Sequence, residues 1–221
     1  MGHVTTPRRL NTIVVVSAVL TALLTWQVVT WGNLSQFDIW AAKQARLFRP
    51  NREFWEITVM LGLRGIILTV TLPFLAWQSW REKSWSAVGG YMLVLVFETG
   101  LVGALKLAVG RSFPYQGPMV IDSGLLAFPS GHGGNVVALW GFLAWYYGRR
   151  KPALRWPLVL ATVMFTLTVG VSSWLIRTHW PTDLAAGNLL GLIALVTVIA
   201  FFNAAGLSPA ATPSPARANR P

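Results

Sequence analysis

The sequence predicts an all-α protein, a polytopic bundle of about six transmembrane helices. Of its 221 residues, 54% are hydrophobic and only 11% are charged, against about 25% charged in an ordinary soluble domain. The charged residues cluster, which leaves several apolar stretches of about 20 residues, enough for a helix to cross a bilayer. The length suits a single domain.

Six apolar stretches account for the predicted spans. They lie at about 10–31, 57–79, 87–109, 131–148, 156–176 and from after Asp183 to about 203. The first stretch follows a short basic tail, residues 1–9, and is too long for a signal peptide, so we interpret it as a retained span.

Two further segments lie outside these spans. Residues 32–53 are polar and partly amphipathic, and Trp40, Ala41, Ala45 and Phe48 are spaced to share one face of an interfacial helix. Residues 204–221 are rich in Pro, Ala and Ser, which predicts a disordered tail.

The distribution of basic residues predicts the orientation in the membrane. Six spans place both termini on one side, and that side holds ten Lys and Arg: Arg8, Arg9, Arg81, Lys83, Arg149, Arg150, Lys151, Arg155, Arg217 and Arg220. The other side holds six: Lys43, Arg46, Arg49, Arg52, Arg111 and Arg177. Because basic loops stay in the cytoplasm, we expect both termini to be cytoplasmic. We also expect the membrane to be the bacterial inner (plasma) membrane.

Composition also excludes some classes of function. The net charge of +11 would indicate a nucleic-acid partner in a soluble protein, but basic loops facing anionic lipid headgroups explain it here. We therefore predict membrane lipids as partners and no nucleic acid. The chain has no cysteine, which excludes disulfides, thiol catalysis and Cys-ligated metals.

Polar residues from three separate segments fall at the non-cytoplasmic face. Lys106 lies at the end of the third span and Arg111 follows it, the sequence PSGH (129–132) opens the fourth, and the sequence RTHWPTD (177–183) connects the fifth and sixth. Each residue alone has an ordinary explanation. Ionisable residues gathered at one depth in a membrane protein indicate a functional site.

The segment PSGHGGN (129–135) reads as the start of a helix. Ser130 is a good N-cap, and the glycines leave the first N–H groups accessible to an anion. A plain helix cap is the alternative interpretation of this segment.

His179 and Asp183 are four residues apart, about one helical turn. A carboxylate so placed can hold the protonated ring nitrogen and leave the other nitrogen free as a nucleophile or base. A surface histidine beside a helix-capping aspartate is the alternative.

Taken together, these residues fit phosphoryl transfer. Cations and N–H groups would neutralise a phosphate, one histidine would attack phosphorus to give a phosphohistidine, and the other would protonate the leaving alkoxide. Water would then displace the histidine. We predict no metal or other cofactor, because Lys and Arg supply the positive charge.

The motifs resemble those of the type 2 phosphatidic acid phosphatase superfamily, membrane lipid phosphate phosphatases related to vanadium haloperoxidases. The family pattern has three parts, Lys-x6-Arg-Pro, Pro-Ser-Gly-His and Ser-Arg-x5-His-x3-Asp. The corresponding segments of this chain are KLAVGRSFP, PSGH and SSWLIRTHWPTD. The similarity covers about residues 50–200. The resemblance implies that 10–203 is a six-span phosphatase domain. It also implies that His179 is the nucleophile, Asp183 its orienting partner and His132 the general acid.

The resemblance further implies that Lys106, Ser130 and the Gly131 N–H bind phosphoryl oxygens. Two motif arginines are missing, because Phe113 and Ser173 stand in their places. We expect Arg111 and Arg177 to replace part of the lost charge, since an arginine can bind a phosphate through two parallel hydrogen bonds.

Several alternatives stay open at this point. Glu98 and Arg64 lie within apolar stretches and could form an ion pair between two spans or contribute to function. The predicted activity is hydrolysis of a lipid phosphate or polyprenyl diphosphate. A phosphotransferase using the same phosphohistidine and a catalytically decayed lipid-binding protein are the alternatives, and the oligomeric state is left open.

Overall fold

The computed structural model describes residues 7–48, 51–207 and 209. Within these residues the chain forms nine α-helices and no β-strand, which confirms the predicted all-α class. The helices are α1 (Pro7–Val29), α2 (Asn33–Leu47), α3 (Arg52–Val59), α4 (Arg64–Glu82), α5 (Ser86–Val109), α6 (Gly131–Asn135), α7 (Gly141–Arg150), α8 (Arg155–Leu175) and α9 (Pro181–Ala204).

Four of these helices, α1, α5, α8 and α9, are long and apolar enough to cross a membrane. A fifth span is possible in the described residues if α3 and α4 count as one, although they are bent by 51° where they meet. The chain is therefore an integral membrane protein. The segment predicted as the fourth span, 131–148, is helical through α6, a π-helical turn (Val136–Trp140) and α7, but it does not meet the same criterion, so the count of six stays a prediction.

Predicted boundaries agree closely with the observed helices for the third and fifth stretches, which correspond to α5 and α8. The first helix begins at Pro7, inside the predicted tail. Residues 1–6 and 210–221 lie outside the described part of the chain, so the disordered tail stays a prediction there.

Helix α2 buries a face of small residues against α8 and α9. Ala41 and Ala45 lie on that face together with Asp38, which has no solvent exposure. Trp40 and Phe48 are instead 56% and 65% exposed, so the apolar face is divided between the protein core and the outer surface of the bundle.

The loop after α5 returns the chain to the end of that helix. It starts at Gly110, whose φ of +56° favours glycine, and an added Cβ would lie 3.2 Å from the Cα of Asp122. Backbone bonds from Ser123 N to Gly110 O (2.8 Å) and from Ala127 N to Arg111 O (3.0 Å) close the loop. As a result, α6 starts beside the point where α5 ends.

Close packing of glycines holds α6 against α9. An added Cβ on Gly187 would lie 2.2 Å from the carbonyl oxygen of Ser130, and one on Gly191 would lie 2.4 Å from that of Gly134. Small residues allow such close backbone approach between membrane helices. The start of α6 is therefore fixed on α9 by backbone contact rather than by side-chain interdigitation.

Arg64 and Glu98 form an ion pair between α4 and α5, with 3.2 Å between Nη2 and Oε2. One of the two interpretations drawn from the sequence is therefore confirmed. Arg64 also donates to the Asn135 side chain (3.3 Å), which in turn donates to the Gly62 carbonyl at the bend between α3 and α4 (3.1 Å). This polar group ties α4 and α5 to the end of α6.

Candidate active site

Two histidines from separate helices meet at one end of the bundle. The ring centroids of His132, in α6, and His179, just before α9, are 5.7 Å apart, and the rings are edge to face. His179 is 5% exposed. The two histidines are therefore direct neighbours at this end of the bundle, and their shared contact with a phosphoryl group stays a prediction.

Asp183 lies behind His179, on the first turn of α9. Its Oδ2 atom is 3.4 Å from the Nδ1 atom of His179 and accepts a bond from the Trp180 N–H at 2.9 Å. The carboxylate has no solvent exposure. This arrangement orients Nδ1 toward the carboxylate and leaves the Nε2 atom on the opposite side of the ring.

The start of α6 provides unpaired backbone donors. The Ser130 hydroxyl caps the helix by accepting from the Gly133 N–H (3.3 Å). Within the described residues, the N–H groups of Gly131 and His132 have no partner, and the space beside Gly131 is open. Ser130 N donates to the Asp183 carbonyl at 2.8 Å, so these donors are held directly beside the histidine pair.

Lys106 is placed at the same end of the bundle, in the last turn of α5. Its ammonium donates to the carbonyl oxygen of Leu126. It also interacts electrostatically with His132 and Asp183. Lys106 therefore places a positive charge at the same end of the bundle as the histidine pair.

Arg111 does not occupy the position that the sequence predicted. Its guanidinium is completely buried, with Nη1 2.6 Å from Asp183 Oδ1 and Nη2 2.6 Å from Asp38 Oδ2. The ring of Trp180 covers it at 5.0 Å. The predicted contact with phosphate is therefore corrected, because the two carboxylates occupy both terminal nitrogens behind the histidine site.

Asp38 is the residue that sequence reasoning missed. It comes from α2 and binds the start of α9, accepting from Thr182 N at 3.0 Å and from Thr182 Oγ1 at 2.5 Å. Burial raises the pKa of the Asp38 carboxyl, and the adjacent Arg111 and Thr182 act in the opposite direction. One feature of the sequence could have identified this residue. Asp38 lies three residues before Ala41, a spacing that places it on the small-residue face of α2.

The positions of the two missing arginines are filled in different ways. Phe113 packs near His179, with ring centroids 5.9 Å apart. Ser173 is buried, and its hydroxyl has no partner in the described residues. Arg177 is half-buried with a left-handed backbone (φ +60°), and its side chain has no partner among the described residues, so its contact with a phosphate stays a prediction.

An apolar groove runs beside the site. It has a volume of about 670 Å³ and lies between α2, α8 and α9. Much of its wall is aromatic, formed by Phe37, Trp40, Phe48 and Trp174. Pro181 and Leu184, on either side of Asp183 in sequence, also line it. The groove therefore reaches from the outer surface of the bundle to the helix that carries Asp183.

The chain is similar to known proteins in sequence and in fold. The chain is 29% identical over 161 residues to phosphatidylglycerophosphatase B of Bacillus subtilis, covering 68% of this chain and 77% of that protein. It is 28% identical over 129 residues to lipid A 1-phosphatase of Rhizobium johnstonii, covering 53% of this chain and 49% of that one. A crystal structure of a transmembrane PAP2 type phosphatidylglycerolphosphate phosphatase from Bacillus subtilis superposes with a TM-score of 0.76, at 24% identity, over 86% of this chain and 96% of that one.

The family model described as the PAP2 superfamily matches residues 87–206. That range contains Lys106, Ser130, His132, His179 and Asp183, so the match includes each of the three predicted motifs. The match spans more than half of the sequence, and the resemblance noted from the motifs is confirmed: the chain belongs to the PAP2 superfamily.

Proposed function

We propose that this protein is a lipid phosphate phosphatase of the bacterial inner membrane, with its site at the non-cytoplasmic face and both termini in the cytoplasm. The observation that carries the proposal is the 5.7 Å separation of His132 and His179, with a buried carboxylate behind one ring and unpaired N–H donors beside the other. Family membership and the lipid phosphatases among its relatives support the same activity.

In the proposed reaction, His179 Nε2 attacks phosphorus and the bond to the leaving lipid oxygen breaks. His132 donates its proton to that oxygen. Asp183 stabilises the positive charge that develops on the His179 ring. Water then attacks the phosphohistidine, the N–P bond breaks, inorganic phosphate leaves, and a proton from the water returns to His132.

Phosphoryl oxygens would be bound by the N–H groups of Gly131 and His132, the Ser130 hydroxyl, and the side chains of Lys106 and Arg177. These groups supply hydrogen bonds and positive charge where negative charge accumulates in the transition state. Arg111 is excluded from this set by its burial between Asp38 and Asp183.

The apolar groove supports a substrate with lipid tails. Its volume of about 670 Å³ lies in the range of small-molecule binding sites, and its aromatic wall suits hydrocarbon rather than water. A tail in the groove would place the headgroup phosphate near the start of α9. Lipid phosphates are thus favoured over soluble phosphate esters.

Substrate class is tested with purified protein and a panel of lipid phosphates. We expect release of inorganic phosphate from at least one of phosphatidylglycerophosphate, phosphatidic acid, lipid A 1-phosphate and undecaprenyl diphosphate, and slower release from glycerol 3-phosphate, which has no tail. Phosphate appearing on an added alcohol instead of free in solution would identify a phosphotransferase. No turnover of any lipid in the panel would refute the proposed activity.

Arg177 gives a test of the phosphate-binding set. Replacing it with glutamine is expected to lower kcat/KM for the hydrolysed lipid about 10- to 100-fold, because a hydrogen bond to a charged group contributes about 1.5–3 kcal/mol. The matched control is Arg155→Gln, since Arg155 is an exposed arginine that begins α8 while Arg177 follows its end. Equal kcat/KM for Arg177→Gln and the wild type would remove Arg177 from the set.

A further inference from the structure

A continuous chain of buried polar contacts connects α2 to the histidine pair. It runs from Asp38 through Arg111 to Asp183 and ends at His179. Asp38, Arg111 and Asp183 all have no solvent exposure. We infer that Asp38 is a positioning residue of the proposed reaction, which holds Arg111 so that Asp183 keeps its negative charge available to His179.

The geometry shows that the guanidinium is shared equally. Arg111 is 2.6 Å from a carboxylate oxygen of Asp38 and 2.6 Å from one of Asp183. Two carboxylates and one guanidinium leave a net charge of −1 in the cluster. Without the charge on Asp38, the guanidinium would neutralise Asp183 alone, and the imidazole beside it would lose most of its electrostatic support, which is strong in a buried site.

Asp38 also fixes the helix that carries Asp183. Its two carboxylate oxygens accept from Thr182 N (3.0 Å) and Thr182 Oγ1 (2.5 Å), in the first turn of α9. A side-chain acceptor at this position stabilises a helix start. Asp38 therefore acts on Asp183 by both charge and placement, although it does not touch the reacting atoms.

Other charged or titratable groups lie around the histidine pair and must stay constant in the test. Asp183 lies on α9, His132 on α6, Lys106 and the deeper Glu98 on α5, and Arg111 on the loop after α5. Arg177 lies two residues before His179 in sequence. None of the variants below changes these groups except Arg111, whose removal is part of the design.

The experiment measures kcat/KM against pH for phosphatidylglycerophosphate in detergent micelles, because the acid limb of that profile reports the free enzyme's essential base. The variants are Asp38→Asn, Arg111→Met and the double variant, which give the cluster formal charges of 0, −2 and −1. Asp38→Asn is expected to move the acid limb to lower pH by about one unit and to reduce the plateau about 10- to 100-fold, as removal of a group that orients a functional histidine does.

The formal charges of the Asp38, Arg111 and Asp183 cluster determine the expected order of the acid limbs along the pH axis. Arg111→Met should move the acid limb to higher pH, because two carboxylates then favour the protonated imidazole, and the double variant should return it close to the wild-type position. A purely structural role for Asp38 would lower the amount of active enzyme without moving the limb. The position of the limb does not depend on the fraction of protein that is folded.

Asp122→Asn is the matched control, since Asp122 is an exposed aspartate in the loop that follows α5. It should leave both the limb and the plateau at wild-type values. If Asp38→Asn cannot be purified, Arg111→Met and the double variant can be compared instead, because they differ only in the charge at position 38. The acid limb of the double variant must then lie at lower pH than that of Arg111→Met.

An unshifted limb in Asp38→Asn, or an equal shift in Asp122→Asn, would overturn the inference. The inference rests on the proposed function, and the two fail differently. A wild type that hydrolyses none of the panel lipids contradicts the function, whereas an active wild type with an unshifted Asp38→Asn variant contradicts only the role of Asp38.

Discussion

Replacing His179 with alanine is expected to reduce release of phosphate from the hydrolysed lipid by about 10⁴-fold or more, the loss typical when a catalytic nucleophile is removed. His179 is the only one of the two histidines with a carboxylate at hydrogen-bond distance in the described structure, Asp183 Oδ2 at 3.4 Å. That carboxylate can stabilise the cationic ring formed on attack. The measurement is the rate of phosphate release with the variant purified in parallel with the wild type.

His132→Ala serves as the contrasting variant. It should lower the rate by about 10²- to 10⁴-fold with a lipid alkoxide as leaving group, but much less with p-nitrophenyl phosphate, whose leaving group needs no proton. His179→Ala should be equally inactive on both substrates. Similar leaving-group behaviour in the two variants would contradict the division of roles between the histidines.

Local patterns in the sequence predicted much of the site. His179 and Asp183 are one helical turn apart, and Ser130 opens a helix with glycines, so their arrangement depends on short-range geometry that spacing reveals. The ends of the long apolar helices followed from composition in the same way. These predictions required no knowledge of which helices are neighbours.

The predictions that failed or were missing depend on neighbours distant in sequence. Arg111 was assigned to phosphate because of its charge and its position in the motif, but Asp38, 73 residues earlier, takes one side of its guanidinium. Asp38 itself lies in a segment interpreted only as an interfacial helix. No period or spacing links positions 38, 111 and 183, since that contact arises only when α2 packs on α9.

The bend between α3 and α4 is a second long-range feature. It falls at Gly62, where an added Cβ would lie 3.0 Å from the Cβ and carbonyl oxygen of His132. The sequence predicted a span at about 57–79, without a bend in it. The bend instead brings the chain close against the histidine helix, which indicates that the break helps to position His132.

Replacing Gly187 with alanine is expected to lower both stability and activity, although the change adds one methyl group. The new Cβ would lie 2.2 Å from the Ser130 carbonyl oxygen and 3.3 Å from Gly134 N, and backbone atoms cannot rotate away as a side chain can. Overpacking of this kind costs about 1–3 kcal/mol. Displacing α6 by about 1 Å should reduce kcat about 100-fold, because Ser130 and His132 move with it.

Gly103→Ala is the matched control for this prediction. Gly103 lies in α5, and an added Cβ there meets nothing within 4 Å, so the substitution should be neutral or should stabilise the helix by up to about 1 kcal/mol. Thermal unfolding in detergent and the phosphatase rate are measured for both variants. A Gly187→Ala protein with the midpoint and rate of the Gly103→Ala protein would mean that α6 is not held on α9 by this contact, and that the histidine pair is positioned by the Asp183 carbonyl and the bend at Gly62 alone.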